Sequence, residues 1–195
     1  MKIILTKHGE TIENKKGIIQ GHLQGKLSKL GKEQAKKIAL KLRNERIDYI
    51  YSSDLARAKD TAKEIAKYHL NVPLILTKEL REKKWGEFEG KTKEQLGFPK
   101  DKPLNKNIKV KNSESIKQVY DRANRFIKEL LKNHKNQTIL LIGHGTIDKA
   151  IICCIFNKSF KTIEYIKEIK PTSITIIKYE KNPKLKLFNS TEHLK

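Results

Sequence analysis

The sequence predicts a single-domain three-layer αβα sandwich, an α/β fold with a mainly parallel central sheet and helices on both faces. Two patterns carry that expectation. Short apolar runs of strand length alternate with longer segments whose apolar residues recur every three or four positions. The links between them are short, as in βαβ units that build a parallel sheet. A third observation is size: 195 residues suit one domain, which at this length buries roughly 70% of its unfolded surface.

In chain order, residues 2–6 form a buried strand, and a loop over residues 9–25 follows with Gly9, Gly17, Gly21 and Gly25. Ser28 caps the next helix, where Ala35, Ile38, Ala39 and Leu42 mark one face. A second strand covers 47–52. From Asp54 a second amphipathic helix places Leu55, Ala58, Ala62, Ile65, Ala66 and His69 on one face, and 72–77 form a third strand. Periodicity then fades. Gly86, Gly90, Gly97, Pro99 and Pro103 punctuate an irregular lysine-rich insert at about 86–112. Behind a Ser113 cap, Ile116, Val119, Tyr120, Ala123, Phe126, Ile127, Leu130 and Leu131 keep helical spacing. Residues 138–142 form a buried strand that runs into Gly143-His144-Gly145, and a helix continues through 150–156. Two strands, 173–179 and 184–188, close the chain around an Asn182-Pro183 turn. No internal repeat or linker divides residues 1–195.

The chain carries 43 Lys+Arg against 22 Asp+Glu, a formal net charge of +21. Only six of the basic residues are arginine, and the lysines are scattered through nearly every segment. Proteins that read duplexes concentrate charge on one face and use arginine for bidentate contacts. Nucleic acid is therefore not the expected partner, and the field serves instead to attract small anions. Cys153 and Cys154 are neighbours in an apolar run, a spacing that offers neither a disulfide framework nor a metal site. No apolar run reaches the ~18 residues of a membrane span, and the start of the chain turns polar too early for a signal peptide. A cytoplasmic location without membrane contact is expected.

Two histidines share one kind of place, His8 directly after the first strand and His144 directly after the strand 138–142. In an open α/β sheet, ligands bind beyond the carboxyl ends of the strands. Each histidine is followed by glycine, which lets backbone N–H groups approach an anion. At the same edge Arg57 lies in the first turn of a helix after Ser52-Ser53-Asp54, Lys7 precedes His8, and Glu82 follows the third strand. Two imidazoles, two cations and one carboxyl group suit a phosphomonoester. Cations and amides hold the dianion, a neutral imidazole attacks phosphorus, and a carboxylic acid protonates the leaving alkoxide. Gly25-Lys26 lacks the other residues of a P-loop, and Gly143-His144-Gly145 lacks the third glycine of a dinucleotide fingerprint.

Leu5-Thr6-Lys7-His8-Gly9-Glu10-Thr11 resembles the Arg-His-Gly-Glu-Thr signature of the histidine phosphatase superfamily, also called phosphoglycerate mutase-like. Further pieces agree in order: Asn14; Ile19-Gln20-Gly21; Leu27-Ser28 with Gly31 and Gln34-Ala35; Ser52-Ser53-Asp54-Leu55 with Arg57-Ala58 and Thr61; Leu80-Arg81-Glu82 with Trp85-Gly86 and Glu89-Gly90; Ser113-Glu114-Ser115; Gly143-His144-Gly145; and Phe188-Asn189-Ser190-Thr191-Glu192-His193-Leu194. The resemblance implies that His8 is the nucleophile and becomes a phosphohistidine. It makes Glu82 the proton donor and then the base for water. It places Arg57, His144 and Lys7 around the phosphoryl group, with Asn14, Gln20, Gly21 and Thr146 positioning the substrate. It implies no metal and no cofactor.

The expected activity is a metal-independent phosphomonoesterase acting on a small phosphorylated metabolite. The Trp85-Gly86-Glu87-Phe88-Glu89-Gly90 stretch is similar to the phosphatase branch rather than the mutases. A phosphoglycerate mutase-type phosphotransferase, drawing cations from the insert, is the alternative, and a weakly active basic binding protein on the same fold is the third reading. Lys7 is the departure from the family, which has arginine before the nucleophile. Lysine keeps the charge but loses the planar pair of donors that binds two phosphate oxygens. It reads as variation in a lysine-rich chain, as retuning, or as loss of activity. Of the other histidines, His22, His69, His134 and His193 are expected to do no chemistry, with His22 lining the pocket mouth, and Trp85 is expected to be a packing or rim residue. Neither the physiological substrate nor the oligomeric state, monomer or homodimer, is readable from the sequence.

Overall fold

The computed structural model describes residues 1–99 and 108–195; the part of the expected insert from 100 to 107, Pro103 included, lies outside them. Six strands form one sheet: β1 (Lys2–Lys7), β2 (Tyr49–Ser53), β3 (Leu74–Thr77), β4 (Thr138–Gly143), β5 (Ile174–Tyr179) and β6 (Pro183–Ser190). Their order is β3-β2-β4-β1-β5-β6. The first four are parallel, and β5 and β6 run antiparallel to their neighbours. After a one-turn helix α1 (Ile12–Lys15), the helices are α2 (Lys29–Leu42), α3 (Ala56–Ala66), α4 (Ile116–Asn133) and α5 (Gly145–Ile155).

Strand alternation divides the interior into two cores. Ile3 and Leu5 of β1, with Ile139 and Leu141 of β4, face α4 and α5. Ile4, Leu140, Ile142 and Ile50 face α2 and α3 through Ile38, Ala39, Leu42, Ala58, Ala62 and Ile65. Each such side chain contributes about 1.5–3 kcal/mol by leaving water. A slip of one residue would exchange the two faces, so the register at the strand ends is strongly fixed.

The expected elements are present with small shifts in their ends, and two details are corrected. The cap of α4 is Ser115, not Ser113: its side chain accepts from Gln118 N while the Gln118 side chain accepts from Ser115 N. That reciprocal box satisfies two N–H groups, whereas the Ser113 hydroxyl is spent on Val110 O. His69 is not on the face of α3. The helix ends at Ala66, and Tyr68 N and His69 N close tight turns onto Ile65 O and Ala66 O. Among the described residues no helix is long and apolar enough to cross a membrane.

Candidate active site

β1 and β4 lie side by side in parallel register, with Lys2 opposite Thr138 and Lys7 opposite Gly143. They end together, so the next residues, His8 and His144, meet at the carboxyl edge of the sheet. His8 N donates to Gly143 O at 3.2 Å, and the two ring centroids are 5.0 Å apart. This is the crevice where the strand order reverses, β1 leading outward to β2 and β4 returning between them. Gly9 is required here because its backbone packs on Gly31 in the first turn of α2, where a Cβ would lie 2.5 Å from Gly31 O.

Both imidazoles are buried, His8 at 3% exposure and His144 at 0%. Burial, followed by the Arg57 charge, holds both pKa values well below the ordinary histidine range, so the rings are neutral near pH 7. Nδ1 of His8 lies 2.6 Å from Gly9 O. A carbonyl only accepts, so this contact puts the proton on Nδ1. Nε2 is left with its lone pair, where it accepts from Arg57 Nε at 3.3 Å. Neither ring nitrogen of His144 has a hydrogen-bond partner among the described residues, although the residue stands at the N-cap of α5.

Arg57, 1% exposed, fastens the loop before it over the site. Nη1 donates to Leu23 O and Gln24 O, and Nη2 to Gly21 O at 2.9 Å. Burial pushes its pKa down to about 10, which leaves it cationic at neutral pH. Gln20 Nε2 donates to Thr11 Oγ1, which caps α1 in a reciprocal box with Asn14. Thus Gln20 and Gly21 stand beside Arg57, while Asn14 joins the group only through Thr11 and Gln20. Lys7 donates from Nζ to Ile169 O at 3.2 Å, and burial lowers its pKa. Glu82 reaches the first turn of α5, where Thr146 N donates to Oε1 at 3.1 Å and to Oε2 at 3.2 Å.

Sequence reasoning missed several groups. Asp148, 1% exposed, sits on α5 with neither carboxyl oxygen hydrogen-bonded among the described residues. It fits because β4 ends in glycine: a Cβ on Gly143 would collide with Asp148 Oδ1. Burial first, then the Glu82 charge, raise its pKa well above the carboxylate range. Lys83 is fully buried with Nζ 3.8 Å from the Trp85 ring centroid, a cation–π contact that makes Trp85 a packing residue. His22 Nε2 donates to Glu82 O at 2.9 Å, and Arg122 of α4 grips the backbone around Glu82. An apolar-patterned helix gave no signal for that arginine.

A neutral imidazole with a directed lone pair, two cations, a helix N-terminus and one carboxyl group converge here. That set can receive a tetrahedral oxyanion, attack its centre and move one proton. Among the described residues no cluster of three or more histidine, cysteine or acidic side chains could hold a metal ion. Cys153 and Cys154 are buried free thiols.

Comparison with known proteins bears on the chemistry. The profile of the histidine phosphatase superfamily (branch 1) matches residues 3–191. Phosphoserine phosphatase 1 of Hydrogenobacter thermophilus is 34% identical over 163 residues, 80% of this chain and 76% of that protein. A metal-independent phosphoserine phosphatase of Arabidopsis thaliana is 34% identical over 158 residues, 77% of this chain and 66% of its own length. Among solved structures, the phosphoserine phosphatase of Entamoeba histolytica in complex with 3-phosphoglyceric acid superposes with a TM-score of 0.83 at 30% identity, covering 99% of this chain and 98% of that one.

The neutral state of His144 is testable through stability. Its pKa is lower in the folded protein than in the unfolded chain, where it is about 6.5. The stability linked to it is therefore complete above that pH and is lost as pH falls below it. His144→Gln removes this contribution, and below pH 6.5 its unfolding free energy should depend on pH less steeply than that of the parent, by up to about 1.4 kcal/mol per pH unit. Asp148 acts in the opposite sense, is common to both proteins, and cancels in the comparison. Urea titrations at several pH values make the measurement, and parallel curves would contradict a buried neutral ring.

Proposed function

This chain belongs to the histidine phosphatase superfamily, and from that premise we propose that it hydrolyses small phosphomonoesters through a phosphohistidine on Nε2 of His8. Its relatives make it a phosphoric monoester hydrolase. The observation that carries the residue-level reading is the His8 hydrogen-bond pattern: Nδ1 is committed to Gly9 O, and Nε2 faces Arg57 with its lone pair available.

In the first half-reaction, Nε2 attacks phosphorus in line and the P–O bond to the leaving group breaks. Glu82 gives its proton to the departing alkoxide. Arg57 Nε turns from His8 to a phosphoryl oxygen, while Lys7 and His144 take the others. In the second half, the Glu82 carboxylate removes a proton from water, the water oxygen attacks phosphorus, and the P–N bond breaks. Phosphate leaves, and His8 and Glu82 return to their starting states. No step requires a metal, in keeping with the Arabidopsis relative's designation as metal-independent. Phosphoserine is the first substrate to try, supported by two relatives at 34% identity that are named for it. The relative in complex with 3-phosphoglyceric acid adds support for a ligand that carries both a phosphate and a carboxylate.

Turnover of p-nitrophenyl phosphate and phosphoserine in EDTA tests the reading. Full activity is expected, and His8→Ala should lower it by about 10³-fold or more, the scale lost when a nucleophile is removed. Activity that vanishes with EDTA or survives His8→Ala would overturn it. Position 7 gives a second expectation. Lys7 spends an N–H on Ile169 O, whereas an arginine there keeps that bond with one N–H and presents others to phosphate. Lys7→Arg should therefore raise kcat/KM several-fold, and an equal or lower value in a folded variant would count against the argument.

A further inference from the structure

The segment that delivers Glu82 has no ladder to hold it. After the 3-10 turn Lys78–Leu80, residues 81–85 belong to no helix or strand. Backbone carbonyls in such a stretch need other partners, and one side chain takes those of Arg81 and Glu82 together with that of Glu79 in the turn before them. Arg122, from the middle of α4, has five N–H groups, and all five are used. Nη1 donates to Glu79 O at 2.6 Å and to Arg81 O at 2.9 Å, and Nη2 to Glu82 O at 3.4 Å. Nε and Nη2 donate to the two carboxyl oxygens of Glu114 at 3.2 and 3.0 Å.

Glu114 carries the grip further, because its Oε2 accepts Lys84 N at 2.9 Å and its own N–H donates to Lys84 O. From the opposite side, His22 Nε2 donates to the same Glu82 carbonyl at 2.9 Å, and that nitrogen lies 3.8 Å from Glu114 Oε2. The Glu82 backbone is thus held between α4 and the 20–24 loop that Arg57 fastens, while its carboxyl group rests on Thr146 N.

We infer that Arg122, with Glu114 and His22, is a positioning residue that aims Glu82 at the leaving-group oxygen. The inference rests on the reading of Glu82 as the proton donor. It touches neither substrate nor reacting atoms and acts through the backbone of residues 79–84. Its consequence depends on the leaving group. A poorly stabilised alkoxide, as in phosphoserine, needs the proton, whereas p-nitrophenolate leaves without it. A network that only stabilises the fold would affect both substrates alike.

The experiment measures kcat/KM, which reports transfer to His8 and leaves out the water step that both substrates share, for phosphoserine and p-nitrophenyl phosphate in Arg122→Met, His22→Asn and Glu82→Gln, each beside the parent. Arg122→Met should lose on the order of 10- to 100-fold on phosphoserine, the scale of a misplaced catalytic group, and only a small factor on p-nitrophenyl phosphate. His22→Asn should show the same split more weakly. It carries the comparison if the buried arginine variant does not fold. Equal losses on both substrates in Arg122→Met and His22→Asn, beside a clear split in Glu82→Gln, overturn the inference alone. Absence of the split in Glu82→Gln overturns the proton-donor reading, and the inference with it.

Discussion

The site depends first on the parallel pairing of β1 with β4. Because Lys7 stands opposite Gly143, both strands end at the same level and each hands its next residue, a histidine, to one crevice. The pairing is held by apolar residues on both faces, Ile3, Leu5, Ile139 and Leu141 on one and Ile4, Leu140 and Ile142 on the other. A shift of one residue would turn every one of these toward the wrong helix layer. The register that places two imidazoles 5.0 Å apart is therefore set by the hydrophobic core rather than by contacts within the site.

The electrostatics of the crevice follow from that placement. Two buried imidazoles stay neutral because a positive charge on either would be desolvated and would face Arg57 and Lys7. The same neutrality leaves His8 Nε2 nucleophilic. Burial weakens the proton hold of Arg57 and Lys7, and the carboxylates near them, Glu82 for Arg57 and Glu168 for Lys7, offset it only in part. An incoming dianion supplies the missing counter-charge, and a close charge contact of this kind is worth roughly 4 kcal/mol at 4 Å and an effective dielectric of 20. Asp148 fits the pattern from the other side, since a carboxyl group buried near Glu82 favours its neutral form. The crevice thus holds the His8 ring uncharged beside the cationic Arg57, the state that the proposed attack on phosphorus needs.

Much of this was legible in the sequence where local pattern and local structure coincide. The strands at 2–6 and 138–142 show as apolar runs, and His8, Arg57, Glu82 and His144 stand at the strand ends where an α/β sheet keeps its chemistry. The resemblance also pointed to Gln20 and Gly21, which stand beside Arg57, and to Thr146, whose N–H meets Glu82. What escaped depends on contacts distant in the chain. Arg122 looks like one more basic residue on an amphipathic helix until its guanidinium is seen on carbonyls some forty positions earlier. Asp148 is readable only once Gly143 is known to make room for it. The α4 cap moved because Ser113 and Ser115 both stand before an apolar run, and the choice fell to Ser115, whose partner Gln118 completes the box. Lys7 was already marked in the sequence by its place before His8, but its bond to Ile169 O, from a residue far along the chain, was not.

In the proposed mechanism the phosphoryl group passes through Nε2 of His8. The direct measurement is to mix the enzyme with excess phosphoserine, quench in alkali within the first turnovers, and map the phosphoryl group by peptide mass spectrometry and phosphorus NMR. The expected result is an acid-labile, base-stable phosphoryl group on the peptide containing His8, bonded through Nε2. Phosphate on another residue, a linkage through Nδ1, or turnover without any phosphoprotein would contradict the account.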